Sequence, residues 1–228
     1  MAEEKKDILD QGAIVQRDKE TFAVAPHLPG GLVTPAILRR MADVAEKYNI
    51  AAMKITSACR IAMVGFKEED LDQVWADLDL PKGHAIGICV RSVKMCPGTT
   101  FCKKGKQDAV ALGLEFDKLY HGMPTPGKTK IGVSGCTNSC AESTIKDIGL
   151  VGMPKGWRLY VGGCAQGAKT RIGELFAENL TTEEAKEMVA KIMAYYKGTV
   201  TKNRRLGAVI DELGGIEVFK KNVLEYQG

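Results

Sequence analysis

Four of the seven cysteines in this 228-residue chain fall into two close pairs, Cys96-Pro-Gly-Thr-Thr-Phe-Cys102 and Gly135-Cys136-Thr-Asn-Ser-Cys140. No other feature constrains the chain as tightly. A separation of six along a helix turns the second thiol onto another face, so the first pair requires a bent loop, and Pro97-Gly98 supplies the bend. A separation of four brings two thiols to one side of a helical turn. Two such pairs can converge on one centre with four thiolate ligands, which either a tetrahedral zinc ion or a four-iron cluster accepts. Structural zinc more often has about two to four residues between paired ligands. An iron–sulfur cluster is therefore the leading reading, zinc the second, and unconnected buried or redox thiols the third. Cys59, Cys89 and Cys164 have no paired spacing and read as buried small hydrophobes.

The surroundings favour metal chemistry over disulfides. Met1 to Asp10 is charged and carries no apolar signal core, and no later stretch reaches the roughly 20 apolar residues of a membrane-spanning helix. The expectation is a cytoplasmic protein without membrane association, where thiols stay reduced and clustered cysteines serve metals or catalysis. With 45% hydrophobic and 26% charged residues, the composition is that of an ordinary globular protein that needs no disulfide scaffold. A net charge of +4 and sparse aromatics argue against a nucleic-acid partner, whose site is densely basic. No Gly-x-Gly-x-x-Gly turn is present, so no nicotinamide or flavin site is expected.

Two parts can be read along the chain, residues 1–80 and 81–228, divided at Pro81-Lys82-Gly83. In the first, Thr21 to Ala25 is a short strand broken by His27-Leu28-Pro29-Gly30-Gly31. Thr34 followed by Pro35 caps a helix whose apolar residues Ile37, Leu38, Met41, Val44 and Ala45 recur through about Lys47. Ala51 to Thr56 and Arg60 to Phe66 are apolar-rich, and Glu68 to Leu78 is a helix with Leu71, Val74, Trp75 and Leu78 on one face. This β-α-β-β-α order suits a ferredoxin-like α/β sandwich. The second part opens with an expected strand from Ala85 to Val90 and a helix from Cys102 to about Leu119. Strands follow at Lys130 to Ser134, Ile148 to Val151 and Arg158 to Val161. Thr181-Thr-Glu-Glu184 is a capping box that opens a helix to about Lys197, and shorter helices cover Leu206 to Leu213 and Ile216 to Tyr226. The expected class is α+β, a ferredoxin-like half followed by a mixed α/β domain.

The residues flanking the cysteines carry a family likeness. Arg91-Ser-Val-Lys-Met-Cys96 with Cys102-Lys-Lys-Gly-Lys-Gln-Asp108 resembles the first cysteine signature of sirohaem-dependent sulfite and nitrite reductases. Gly135-Cys-Thr-Asn-Ser-Cys-Ala-Glu142 with Lys146-Asp-Ile-Gly149 resembles their second. Lys54-Ile-Thr-Ser-Ala-Cys-Arg-Ile61 and Trp157-Arg-Leu-Tyr-Val-Gly-Gly163 are similar to their sirohaem-contacting segments. The likeness runs from about Thr21 to Phe219 and, at this length, is nearest to the small assimilatory-type sulfite reductases.

The resemblance implies that Cys96, Cys102, Cys136 and Cys140 ligate a [4Fe–4S] cluster and that Cys140 also bridges to the iron of a sirohaem. The mixed α/β domain would then bind both groups. Sirohaem is rich in carboxylates and the substrate is itself an anion, so cations held in place are required. By position in the motifs these are Arg60, Arg91, Lys128 and Lys130. Lys128 and Lys130 would alternate along a strand leading into Cys136 and share a face. Thr56, Arg60, Gly162, Gly163, Lys169 and Arg171 would contact the macrocycle. Cys164 has a minor alternative as a residue near it. The implied reaction is the six-electron reduction of sulfite to sulfide, with nitrite reduction and a dedicated iron–sulfur electron carrier as alternatives. Electrons would come from an external donor such as a ferredoxin or a cytochrome. Large relatives hold two related halves where this chain holds one, so a monomer or a homodimer is expected. Lys103, Lys104 and Lys106 read as a solvated helix face or as a dock for an acidic donor.

Overall fold

The computed structural model describes residues 4–167, 169–201 and 203–227; the first three residues of the charged amino-terminal stretch lie outside them. Two compact units divide between Gly87 and Ile88, a few residues beyond the Pro81-Lys82-Gly83 break.

In the first unit, strands β1 (Ile14–Val15) and β2 (Phe22–Val24) precede helix α1 (Pro35–Lys47). Thr34 caps α1 by accepting the Ile37 amide at 3.2 Å, and Pro35 follows at the first helical position, as the sequence requires. Strands β3 (Ala52–Ile55) and β4 (Ile61–Phe66) form a hairpin, and helix α2 (Leu71–Leu78) closes the unit. All pairings are antiparallel, in the order β1-β2-β4-β3. Phe22, Val24, Met63 and Phe66 meet Met41, Val44, Leu71, Val74 and Leu78 in one core. The expected helical face of α2 is the buried one.

The second unit is a five-stranded sheet in the order β5-β6-β7-β8-β9: Val90–Met95, Thr129–Ser134, Ile148–Met153, Gly156–Val161 and Glu174–Leu180. The first three strands are parallel and the last two antiparallel. Helices α3 (Gly98–Phe101) and α4 (Ala109–Tyr120) precede β6, and α5 (Thr182–Thr199), α6 (Leu206–Glu212) and α7 (Ile216–Glu225) follow β9. Val93, Met95, Ile131, Val133, Ile148, Leu150, Leu159 and Val161 share one core with Leu112, Phe116, Val189, Ile192, Ile210 and Phe219. One face of the sheet is thus covered by helices.

The other face is covered differently. Parallel neighbours need a crossover of about a dozen residues or more, usually a helix. Between β6 and β7 that crossover is residues 135–147, the segment carrying Cys136 and Cys140. It lies flush on the sheet: a side chain at Gly149 would put its Cβ 1.9 Å from the Ser143 carbonyl oxygen. Ser134 Oγ pairs with Ser143 Oγ at 2.8 Å and accepts the Ala141 amide at 3.1 Å, pinning the segment.

Three expectations shift. The paired strand is Val90–Met95 rather than Ala85–Val90: Gly87 is left-handed (φ +90°), and Val90, Ser92, Val93 and Met95 are buried while Arg91 and Lys94 are half-buried. The helix expected from Cys102 begins at Ala109, where Asp108 caps the Val110 and Ala111 amides at 3.1 and 3.0 Å. Strand β9 was not foreseen, since only Phe176 among its residues is buried and the apolar alternation is weak. Among the described residues no helix is long and apolar enough to cross a membrane.

Candidate metal centre and anion site

Both cysteine loops leave the carboxyl ends of adjacent parallel strands, the place where open α/β sheets gather ligands. The Cys96 amide extends the β5–β6 ladder by donating to the Val133 carbonyl at 3.0 Å. Across the gap the Gly135 amide donates to Cys96 Sγ at 3.1 Å, a contact that stabilises a thiolate. The Lys106 and Gln107 amides both donate to the Gly135 carbonyl, at 2.7 and 3.0 Å. A Cβ at Gly135 would come within 2.7 Å of Gly98 Cα, so the two loops are fitted backbone to backbone.

Pro97-Gly98 bends the first pair, and the bend opens the single turn of α3. The second pair is not helical. Residues 136–142 form consecutive turns through left-handed Ser139 (φ +49°) and Glu142 (φ +57°), with the Ser139 amide donating to Cys136 O at 3.1 Å and the Glu142 amide to Ser139 O at 2.7 Å. Cys96, Cys102 and Cys136 are half-buried and Cys140 is exposed, whereas Cys89 and Cys164 are buried. Cys59 of the first unit is likewise accessible, so it is the placing of Cys96, Cys102, Cys136 and Cys140 on two facing loops that fits a donor set for iron. Among the described residues no three His, Cys, Asp or Glu side chains close around a single-ion point. A four-iron cluster spans its ligands with its own iron and sulfide and does not need them to.

The crossover face also carries a cationic field. Lys130 is half-buried on β6. Its amide donates to Asp147 Oδ2 at 2.8 Å and its Nζ to Gln166 Oε1 at 2.8 Å. Burial pushes its ammonium below the ordinary lysine value, and the charges of Lys146, Arg205 and Arg91 push the same way, against Asp147. Arg91 is lowered by burial, with Arg205 adding to it and Cys89 opposing. Arg205, which no sequence signal singled out, forks onto the fully buried Asp147 at 3.1 and 2.6 Å and donates to Cys164 Sγ at 2.8 Å. Burial works to lower its guanidinium, but the Asp147 carboxylate outweighs that and holds it above its ordinary value. Lys146 and Lys94 share Glu142, at 2.9 and 3.3 Å.

The structure brings Lys128 and Lys130 to the same place by a different route from the one expected. Lys128 precedes β6 and is exposed rather than alternating within the strand. It lines a cavity of about 320 Å³ with Gln166, Asn203 and Arg205, and Gln166 is the partner of Lys130. Arg91, Lys128 and Lys130 therefore belong to one basic region of the second unit.

Arg60 and Thr56 lie in the first unit, at the turn joining β3 to β4. Thr56 Oγ1 donates to the Arg60 carbonyl at 3.0 Å and accepts the Arg60 amide at 3.3 Å, so its hydroxyl serves its own hairpin. Arg60 is buried. Cys59, expected to be buried, is half-exposed and left-handed (φ +57°).

Gly162 and Gly163 have a protein-internal reason to lack side chains: a Cβ at Gly163 would meet the Thr144 and Lys146 carbonyl oxygens at 2.6 Å, and Gly162 turns with φ +78° against Gly207. Arg171 is a strut, pairing with Glu174, with Asp211 at 3.2 Å and with the Gly162 carbonyl at 3.1 Å. Lys169 is exposed and reaches Asp211 at 3.2 Å.

The model described as the nitrite and sulphite reductase 4Fe-4S domain matches residues 86–228, and that of the nitrite/sulfite reductase ferredoxin-like half domain matches residues 14–80. The chain belongs to the nitrite and sulphite reductase family. This family member is 42% identical over 214 residues to an assimilatory-type sulfite reductase of Nitratidesulfovibrio vulgaris, covering 94% of this chain and 97% of that protein. It is 43% identical over 202 residues to a nitrite reductase (NAD(P)H) of Bacillus subtilis, covering 89% of this chain but 25% of the other. Among solved structures, dissimilatory sulfite reductase I superposes with a TM-score of 0.79 at 15% identity, over 91% of this chain and 70% of that one. Mycobacterium tuberculosis NirA superposes with a TM-score of 0.77 at 20% identity, over 89% and 39%. At those identities the structures share the family fold.

Proposed function

We propose that this family member reduces sulfite to sulfide in a six-electron reaction, with electrons from a separate donor such as a ferredoxin or a cytochrome. The observation that carries the reading is the half-buried cationic field of Arg91, Lys130 and Arg205, in which Lys130 and Arg205 both bond to Asp147 at the end of the crossover that carries Cys136 and Cys140. The near full-length likeness to an assimilatory-type sulfite reductase supports sulfite as the anion.

Cys96, Cys102, Cys136 and Cys140 would hold the [4Fe–4S] cluster, with Cys140 also ligating the sirohaem iron. When bound, the two groups supply the storage and delivery of electrons. The protein supplies position, field and protons. Arg91 stays charged at any ordinary pH and acts as a fixed cation toward the oxyanion. Each sulfite oxygen leaves as water and consumes two protons. Lys130, lowered by burial and by three neighbouring cations, gives up a proton more readily than an exposed lysine does. Lys128 stands at the mouth of the same region and would reload it from solvent. Lys169 is the exposed cation suited to a macrocycle carboxylate. A cytoplasmic setting, which keeps the four thiols reduced until iron and sulfide arrive, and a monomeric or homodimeric working unit complete the proposal.

The test is turnover of the loaded protein with reduced methyl viologen and either sulfite or nitrite. Sulfide formed in proportion to sulfite consumed, with the higher kcat/KM for sulfite, is the expected result. Nitrite consumption without sulfide formation from sulfite would contradict it.

A further inference from the structure

The loop between the first two cysteines carries a feature the proposed reaction leaves unused. From Pro97 to Gln107 there is no carboxylate, while Lys103, Lys104 and Lys106 are all exposed and Phe101 keeps 71% of its surface in water. Some lysines of this unit are engaged, Lys94 and Lys146 by Glu142, Lys186 by Glu115 at 2.8 Å and Lys169 by Asp211; what sets Lys103, Lys104 and Lys106 apart is that three exposed cations crowd one short loop beside Cys102. Among the described residues no carboxylate lies within ion-pair reach of Lys103, Lys104 or Lys106. The neighbouring acid, Asp108, is occupied in capping α4 and in accepting the Thr100 hydroxyl at 3.0 Å.

A solvated helix face does not describe these lysines, because residues 102–108 are not helical. They sit on a bent loop held by the Cys102 amide to Gly98 O at 2.9 Å, the Gly105 amide to Cys102 O at 2.9 Å and the Lys106 amide to Gly135 O at 2.7 Å. Three like charges within four residues repel one another, and a rigid loop prevents them from spreading. An exposed aromatic with three exposed cations in the next five residues has the make-up of a small interface, an apolar anchor with a charged rim.

We propose that Phe101, Lys103, Lys104 and Lys106 form the docking surface for an acidic one-electron carrier protein; the inference rests on the sulfite-reducing reading, which requires an external donor. Lys103 follows Cys102 directly, so a carrier seated here stands beside the thiolates that would hold the cluster. Each reduced carrier gives up one electron and leaves oxidised, so six visits supply one sulfite. Repeated visits need fast association and release. Unpaired surface cations provide that by long-range steering, and a small contact area keeps the complex short-lived.

The experiment compares loaded wild type with K103Q/K104Q/K106Q and K103E/K104E/K106E, using a reduced acidic ferredoxin as one donor and reduced methyl viologen as the other. With ferredoxin at low salt, kcat/KM falls about tenfold or more in the Glu variant, less in the Gln variant, and its decline with added salt is lost. Viologen-driven turnover and the iron and sulfide content stay within about twofold of wild type. Carbodiimide cross-linking joins ferredoxin to peptides containing Lys103, Lys104 or Lys106 in the wild type. Phe101→Ala weakens ferredoxin binding while the salt dependence remains. Unchanged ferredoxin kinetics in both triple variants, or cross-links elsewhere on the chain, would overturn the proposal. Absence of viologen-driven sulfite turnover in the wild type would overturn the parent reading instead, and the cross-link map would still decide the docking surface.

Discussion

Asp147 has almost no contact with solvent, yet it accepts two hydrogen bonds from Arg205 and one from the Lys130 amide. Removing one partner of such a pair leaves the other desolvated without compensation. Asp147→Asn should destabilise the protein by about 2–3 kcal/mol, toward the low end because a quarter of the Arg205 side chain remains in water; urea unfolding measures it. Lys130→Met should lower viologen-driven turnover about 100-fold while haem absorbance and iron content persist. Loss of both groups in that variant would show a structural role instead. The sequence made Arg91 and Lys130 legible through the motifs beside the cysteines. Arg205 was not, because it belongs to no recognised motif and lies 58 residues from Asp147; Asp147 stands in the Lys146-Asp-Ile-Gly149 motif, but nothing in that motif names its partner.

At the scale of elements, the crossover of residues 135–147 is the part most sensitive to small changes. Gly149→Ala places a methyl group against the Ser143 carbonyl and must lift the segment that carries Cys136 and Cys140. Iron and labile sulfide per chain should fall well below wild type while the circular dichroism of the sheet is retained; a full cluster content would show that the segment yields without consequence. In the first unit, Asp77 on α2 accepts from Lys47 Nζ at 2.6 Å, Gln73 Nε2 at 3.0 Å and Tyr48 Oη at 2.8 Å, which hold its carboxyl down to about 2. A depressed carboxyl stabilises the fold above the unfolded value near 4 and loses that contribution as pH falls through about 2. The carboxyl resonance of Asp77 should titrate near 2 by NMR, and Asp77→Asn should flatten the decline in stability between about pH 4 and 2. Helices with explicit caps were legible almost to the residue, as Pro35–Lys47 and the capping box at Thr181 illustrate. The turns of residues 102–108 and 136–142 were not, because their conformation is set by contact between the two loops rather than by local spacing.

For the molecule as a whole, the two-part organisation and the α+β class follow from the order of elements, and the family from the cysteine signatures. Strand β9 was not readable, since it buries a single side chain; the change from parallel to antiparallel pairing comes before it, between β7 and β8. Together the cysteine loops and the basic residues beside the crossover are proposed to serve a haem-linked iron–sulfur centre that takes sulfite. The most direct test is the visible absorption spectrum of the anaerobically purified, reduced protein before and after sulfite is added. Sirohaem bands that shift on adding sulfite are the predicted result. A spectrum without haem bands, from protein that contains iron and labile sulfide in full, would contradict a haem-linked centre.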